Sequence, residues 1–256
     1  MAEPVYRSVI RLARTVFALQ GLRFTLEGTA HVPPTGGAVM AINHIGYMDF
    51  TYAGLVAVPA GRLVRFMAKQ EVFEHPLSGP LMRAMHHIPV DRAAGGDSYR
   101  EALKALRAGE IVGVFPEATI SRSFELKEFK PGAVRLAGAA GVPLLPTVIW
   151  GSQRVWTKDH PKRLGRTRTP IHVYVGEPID VPRPVDQAGV TETLRARMSS
   201  LLDEVQAAYP APPPEDEGPR WWLPARLGGT APTPQEAARL DEEERVRRAR
   251  GRTEDP

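Results

Sequence analysis

Beyond Gln20 the sequence changes period again and again. Short apolar runs alternate with stretches whose apolar residues return every three or four positions, and Gly or Pro punctuates the joins. The runs read as strands over Arg23–Leu26, Ala38–Ile42, Val64–Ala68, Ile88–Val90, Ile111–Phe115, Leu144–Ile149 and Ile171–Val175. Helices are expected over Met48–Val58, Pro76–Met85, Ser98–Arg107, Pro131–Ala140 and Val190–Ala208, with Gly109 and Gly141 as stop signals. Strands alternating with helices imply an α/β fold, a single domain whose central, mainly parallel sheet is flanked by helices.

Two segments flank that domain. Residues 4–20 read as an amphipathic helix with Pro4 in its first turn: Val5, Val9, Leu12, Val16 and Leu19 recur at helical spacing, and Arg7, Arg11 and Arg14 line another side. Such a helix either packs on its own core or lies in a membrane interface. The domain is expected to span 1–209, leaving 210–256 as a Pro-rich, charged, partly disordered tail with 9 prolines in 47 residues. Within it Trp221-Trp222 suits either docking on the domain or a seat at a membrane interface. Thr233-Pro234-Gln235-Glu236 is a capping box for a short helix through about Arg250, whose charges read as a solvated face. Deleting 210–256 is expected to leave the chemistry largely intact.

Composition narrows the chemistry. With no cysteine, the chain has no disulfide framework, no Cys-based zinc site and no thiol nucleophile. Up to Tyr209 there are 25 basic against 19 acidic residues, and 8 against 10 beyond, so the body favours an anionic partner. Basic residues are not interleaved with aromatics, and there is no Gly-rich phosphate loop, GxSxG elbow or HExxH, so nucleic acid is not an expected partner and no metal is expected. No run approaches the roughly 18 apolar residues of a spanning helix, and three arginines interrupt any secretory signal.

The stretch richest in chemistry is Asn43-His44-Ile45-Gly46-Tyr47-Met48-Asp49, directly after the strand Ala38–Ile42. An imidazole, with an ordinary pKa of about 6.5, accepts a proton at neutral pH, and a carboxylate on its other nitrogen fixes the tautomer. Positions five apart sit about 140° apart on a helix. His44 and Asp49 therefore meet only if the chain turns between them, which Gly46 permits. Asp49 equally fits a helix N-cap. His86 and Asp91 repeat the spacing, but across an expected strand, where positions five apart point to opposite faces. His86 reads as structural. Phe115-Pro116-Glu117-Ala118-Thr119-Ile120-Ser121 also follows a strand, and Glu117 and Thr119 there suit a polyol or phosphate, or merely a turn and its cap. Lys69, Arg92, Arg122, Lys127 and Lys130 are further cationic candidates, each equally readable as solvated.

Taken in order, Asn43-His44-x4-Asp49, then Ala68-Lys69-x-Glu71 to Ile88-Pro89-Val90-Asp91-Arg92, then Phe115-Pro116-Glu117-Ala118-Thr119 with Phe129-Lys130-Pro131-Gly132, and finally Val142-Pro143-Leu144-Leu145-Pro146, resemble the glycerolipid acyltransferase family that includes 1-acylglycerol-3-phosphate acyltransferases. The resemblance covers roughly residues 20–180. It implies acyl transfer from acyl-CoA or acyl carrier protein to the free hydroxyl of lysophosphatidic acid or a related lysolipid, with no other cofactor. His44 would be the general base and Asp49 its orienter. Arg92 and Glu117 would bind the acceptor, with Thr119, Lys69 and Arg122 beside them. Pro143 and Pro146 would serve the acyl donor or the structure. A peripheral enzyme on the cytoplasmic face of the cell membrane is implied, which favours the membrane reading of residues 4–20. The chain departs from the family where Ala118 replaces Gly and Ile120 replaces Arg, removing a bidentate phosphate clamp. That leaves open another lysophospholipid or glycolipid acceptor, a thioesterase, or a non-catalytic lipid-binding protein of the same fold.

Overall fold

The computed structural model describes residues 3–90, 95–210 and 219–251. Seven strands form one sheet: β1 (Arg23–Glu27), β2 (Ala38–Ile42), β3 (Val64–Lys69), β4 (Ile88–Val90), β5 (Ile111–Val114), β6 (Leu144–Trp150) and β7 (Pro170–Val175), in the order β1-β7-β6-β2-β5-β3-β4. From β6 to β4 every neighbouring pair is parallel, whereas β7 is antiparallel to β6 and carries β1 parallel to itself. The expected mainly parallel α/β sheet is thus present, with a reversed two-strand edge.

All five residues of β2 are buried, as a strand covered on both faces requires. Val39 and Ala41 point to one face, against Ala102 and Leu106 of α5 (Gly95–Arg107), Val134 and Ala137 of α6 (Gly132–Ala140) and Leu194, Met198 and Leu202 of α7 (Gln187–Ala208). Ala38, Met40 and Ile42 point to the other, against Phe17 of α1 (Pro4–Leu19) and Tyr52 and Ala53 of α2 (Asp49–Ala53). The alternation follows from the two-residue side-chain period of a strand.

Three segments differ from expectation. The helix expected over Met48–Val58 is α-helical only to Ala53 and continues as a 3-10 turn over Gly54–Ala57; Gly54 weakens the helix and Pro59 restrains the residue before it. The helix expected from Pro76 begins at Ser78 as α4 (Ser78–Ala84), preceded by α3 (Gln70–Glu74), a five-residue helix too short to show a period. The third is the region beyond Pro210. Pro219–Gly251 packs on the domain instead of trailing from it. Trp222 is buried, with the Arg154 guanidinium 4.6 Å from its ring centre and Gln153 Nε2 donating to its carbonyl at 3.1 Å. Trp221 stacks on His160 at 3.9 Å. The capping box forms as expected, Thr233 N–H donating to Glu236 Oε2 at 2.8 Å, and opens α8 (Pro234–Gly251). These are long-range contacts of isolated residues, which no periodicity announces.

In α1, Tyr6 and Phe17 are buried, and the Tyr6 hydroxyl donates to the Val64 carbonyl at 2.7 Å. Val5, Leu12, Val16 and Leu19 stay exposed on another side, Leu12 to 65% and Leu19 to 72%, beside exposed Arg7, Arg11 and Arg14. No helix among the described residues is long and apolar enough to cross a membrane.

Candidate active site

Because β6, β2 and β5 are parallel neighbours, the loops leaving their C-terminal ends meet at one sheet edge, where open α/β folds place their sites. Asn43 leaves β2 and clamps its loop to β6: its Oδ1 accepts the Ile149 N–H at 2.7 Å and its Nδ2 donates to the Ile149 carbonyl at 3.1 Å. His44 follows, with Nδ1 2.9 Å from Asp49 Oδ2. That same oxygen accepts the N–H groups of Ile45 at 2.8 Å and Gly46 at 2.9 Å. The other oxygen, Oδ1, accepts the hydroxyl of Ser152, which comes from the loop after β6. Asp49 is fully buried at the first residue of α2, so its carboxylate both closes the loop and holds the imidazole.

The bonds on Asp49 decide the tautomer. A carboxylate only accepts, so Nδ1 carries the hydrogen and Nε2 holds the lone pair. Among the described residues no hydrogen bond reaches Nε2, and the His44 side chain is 21% exposed. Phe115 stacks on the ring at 4.3 Å between centres and limits its tilt. Gly46 serves sterically rather than through a left-handed backbone: a Cβ there would lie 3.0 Å from Ser152 Oγ and 3.1 Å from the Trp156 carbonyl.

Glu117, from the loop after β5, ties the second motif to the first. It is buried, with Oε1 accepting the His44 N–H at 2.8 Å and Oε2 the Lys127 N–H at 3.0 Å. Burial pushes its pKa up to about 7, against the lowering effect of those two N–H groups and the Lys127 ammonium. Glu117 therefore holds the backbone of His44. Ser121 N–H adds a second tie, donating to the His44 carbonyl at 2.7 Å. Ala118 has φ 60°, a left-handed conformation that costs a residue with a Cβ roughly 1–2 kcal/mol. Glycine would adopt that conformation without the cost.

The cationic candidates divide. Lys127 Nζ donates to Thr119 Oγ1 at 2.7 Å and also pairs with Asp241 of α8. Arg122 is buried, bonded through Nε to Asp159 at 2.5 Å and through its two terminal nitrogens to Asp241 and to Glu244, the latter at 2.9 Å. Against the cost of burial, the pairs with Asp159 and Glu244 hold its pKa above the ordinary arginine value. Ile120 is buried in the core and takes no place among these charges. Lys69 is exposed at the end of β3, on the same sheet edge as His44, and Lys130 is exposed too. Arg92, like Asp91, lies outside the described residues. Pro143 precedes β6 at the opposite sheet edge, its carbonyl accepting Val39 N–H at 3.0 Å, and Pro146 is buried within β6, its carbonyl accepting Gly176 N–H at 2.8 Å. Both carbonyls thus bond to the sheet or its flanking loop.

Of the second His-x4-Asp pair only the histidine lies among the described residues, and its surroundings differ from those of His44. His86 is 69% exposed, 3.9 Å from Glu3, and its neighbour His87 is the buried one, accepting the Phe66 N–H at 3.1 Å. Burial, with help from the Arg65 charge, pushes His87 down to about 4, a neutral structural ring. Sequence reasoning missed Ser152, Lys158 and the acidic residues of α8. Ser152 carries one usable signal, its place just past a buried strand, as with His44 and Glu117; the others carry none.

An acyltransferase family model matches residues 23–150. The chain is 28% identical over 208 residues to the 1-acyl-sn-glycerol-3-phosphate acyltransferase of Bacillus subtilis (strain 168), covering 78% of this chain and 98% of that protein. It is 29% identical over 191 residues to the 1-acyl-sn-glycerol-3-phosphate acyltransferase alpha of Bos taurus, covering 73% of this chain and 65% of that one. The crystal structure of the 1-acyl-sn-glycerophosphate (LPA) acyltransferase PlsC from Thermotoga maritima superposes with a TM-score of 0.64 at 21% identity, covering 80% and 81% of the two chains.

Proposed function

This chain belongs to the acyltransferase family, and from that premise we propose that it transfers a fatty acyl group from acyl-CoA or acyl carrier protein to the free hydroxyl of lysophosphatidic acid. The single observation that carries the mechanism is the His44 imidazole, oriented through Nδ1 by Asp49 and leaving Nε2 for a substrate. The acceptor hydroxyl gives its proton to Nε2 as its oxygen attacks the thioester carbonyl. The tetrahedral oxyanion collapses, the C–S bond breaks, and the leaving thiolate takes the proton from the imidazolium. Asp49 stabilises the imidazolium between those two steps. No group on the protein is acylated, and the acyl donor is a co-substrate rather than a cofactor.

Both substrate tails are lipid, and α1 suits that setting. Its exposed stripe of Val5, Leu12, Val16 and Leu19 supplies an apolar face, and Arg7, Arg11 and Arg14 favour anionic headgroups, which supports the reading of a peripheral enzyme on the cytoplasmic face of the membrane. A second reading is supported by the buried Ile120 and the acid-paired Arg122: a lysolipid acceptor with a different head group.

The test is acyl transfer from a long-chain acyl-CoA, and from acyl carrier protein, to lysophosphatidic acid and a panel of lysolipids, in wild type and His44→Ala. Removal of a general base predicts a loss of about 10²–10⁴ in rate. A variant that keeps wild-type activity overturns the mechanism, and a preference for another lysolipid overturns the acceptor.

A further inference from the structure

The loop after β5 and the C-terminal helix α8 meet in a charge cluster that acyl transfer does not by itself explain. Three cations take part: Arg122, Lys127 and Lys158. Lys158 Nζ lies 2.9 Å from Glu244 and 3.3 Å from Asp241; Lys127 pairs with Asp241; Arg122 pairs with Asp241, Glu244 and Asp159. Among the described side chains, three carboxylates therefore face three cations. Arg122 and Lys158 are nine-tenths or nearly so removed from water, at 7% and 13% side-chain exposure.

Its place matters. The Lys127 backbone N–H and the His44 backbone N–H share the Glu117 carboxylate, and Ser121, next to Arg122, donates to the His44 carbonyl. The cluster thus sits one hydrogen-bonded step from the candidate base. Converging guanidinium and ammonium groups are the chemistry that binds an anion, and here they meet carboxylate oxygens of α8.

Those charges are the side-chain bonds that tie the described part of the helix to the domain. On the docked face, Ala237, Leu240, Asp241 and Glu244 recur at i, i+3, i+4 and i+7, and among the described side chains of α8 only Ala237 is fully buried. The apolar anchor of the segment is Trp222, upstream, so α8 can leave the site without undocking the tryptophans.

We infer that Asp241 and Glu244 occupy the subsite of the acceptor's phosphate, so that α8 competes with a lysolipid phosphomonoester for Arg122, Lys127 and Lys158. The inference rests on the acyl-transfer reading for its substrate, and it makes two residues outside the family's motifs determinants of acceptor affinity. A phosphomonoester carries about 1.5–2 negative charges at neutral pH and three acceptor oxygens, enough to replace two carboxylates.

The test compares full-length wild type with the D241N/E244Q double variant, using Glu243→Gln, an exposed residue paired with Arg239, as control. Acyl transfer is followed against lysophosphatidic acid and against lysophosphatidylcholine, which carries no phosphomonoester. If α8 closes the subsite in about nine-tenths of molecules, the double variant lowers the KM for lysophosphatidic acid by about tenfold, and leaves kcat and the KM for lysophosphatidylcholine unchanged. An unchanged KM overturns the inference; a raised KM overturns it too, and assigns the carboxylates to positioning the cations. A second measurement needs no activity: backbone hydrogen exchange over 234–251 in wild type, with phosphatidic acid vesicles, with phosphatidylcholine vesicles, and with inorganic phosphate alone. Faster exchange with phosphatidic acid but not phosphatidylcholine supports displacement, and the inorganic phosphate arm separates a lipid headgroup from the free anion. Exchange that responds to none of the three overturns the inference. If wild type acylates some other lysolipid and not lysophosphatidic acid, the acceptor reading fails, and the exchange experiment still decides the role of α8.

Discussion

Asp49 makes four bonds, and Asp49→Asn separates what they do. Oδ2 accepts from His44 Nδ1, Ile45 N and Gly46 N, all within 2.9 Å, so an asparagine must place its carbonyl oxygen there. Its amide nitrogen then faces Ser152, whose hydroxyl can turn to accept. The loop, the tautomer and the ring orientation survive; only the negative charge beside the imidazolium is lost. With charge centres about 4 Å apart and an effective dielectric constant of about 20, that charge is worth roughly 4 kcal/mol. Partial exposure of the ring trims this, giving an expected fall in kcat of about 10²–10³. Asp49→Ala differs: it takes the acceptor from four donors, three of them on Oδ2, each stranded donor costing about 1–3 kcal/mol, and lowers thermal stability as well as activity. The assay is steady-state acyl transfer alongside thermal unfolding of both variants. An Asp49→Asn enzyme retaining more than a tenth of wild-type kcat, or one as unstable as Asp49→Ala, refutes the reasoning.

Glu117 makes stability depend on pH. Its pKa is raised from 4.5 to about 7, so the native state holds a proton that the unfolded chain gives up, and the contribution present below pH 4.5 is lost as pH rises through about 7, by roughly 3 kcal/mol. Urea unfolding at pH 5 and pH 8 should show a steeper loss in wild type than in Glu117→Gln, and parallel curves would exclude it. Ala118→Gly releases the left-handed strain at an exposed site and, net of the entropy of glycine, should stabilise by about 0.5–1 kcal/mol in the same assay; a destabilised variant contradicts this. Trp222→Ala should cost about 3–5 kcal/mol, and removal of 210–256 should lower the melting temperature with it, whatever it does to the chemistry. A truncated chain melting with wild type would show that the docked tryptophans add nothing to stability.

Local chemistry made much of this protein legible before any coordinate. The seven apolar runs are strands because buried backbone groups must pair, which holds most strictly for β2 and β6, buried along their whole length, and their boundaries shift by at most a residue or two at either end. The capping box at Thr233 formed for the same local reason. His44 and Asp49 could be paired on paper because five residues and a glycine bound what the loop can do. The α3 helix escaped notice since one buried residue, Phe73, makes no period.

The sequence by itself determined the alternating α/β order, the loop bearing the candidate base and its carboxylate, and the arginine-lined helix formed by residues 4–19. Tertiary structure alone decided what those pieces meet. Ser152 reaches Asp49 across 103 positions, and Glu117 holds His44 across 73, because parallel strands bring their C-terminal ends together whatever their separation in the chain. Asp241 and Glu244 read along α8 as members of a solvated charge run, yet they are set 119 and 122 residues from Arg122 in sequence and bonded to it in space. A charge carries no sign of its partner until folding sets the distance, and the Coulomb energy that decides its role depends on that distance alone and on the water left around it.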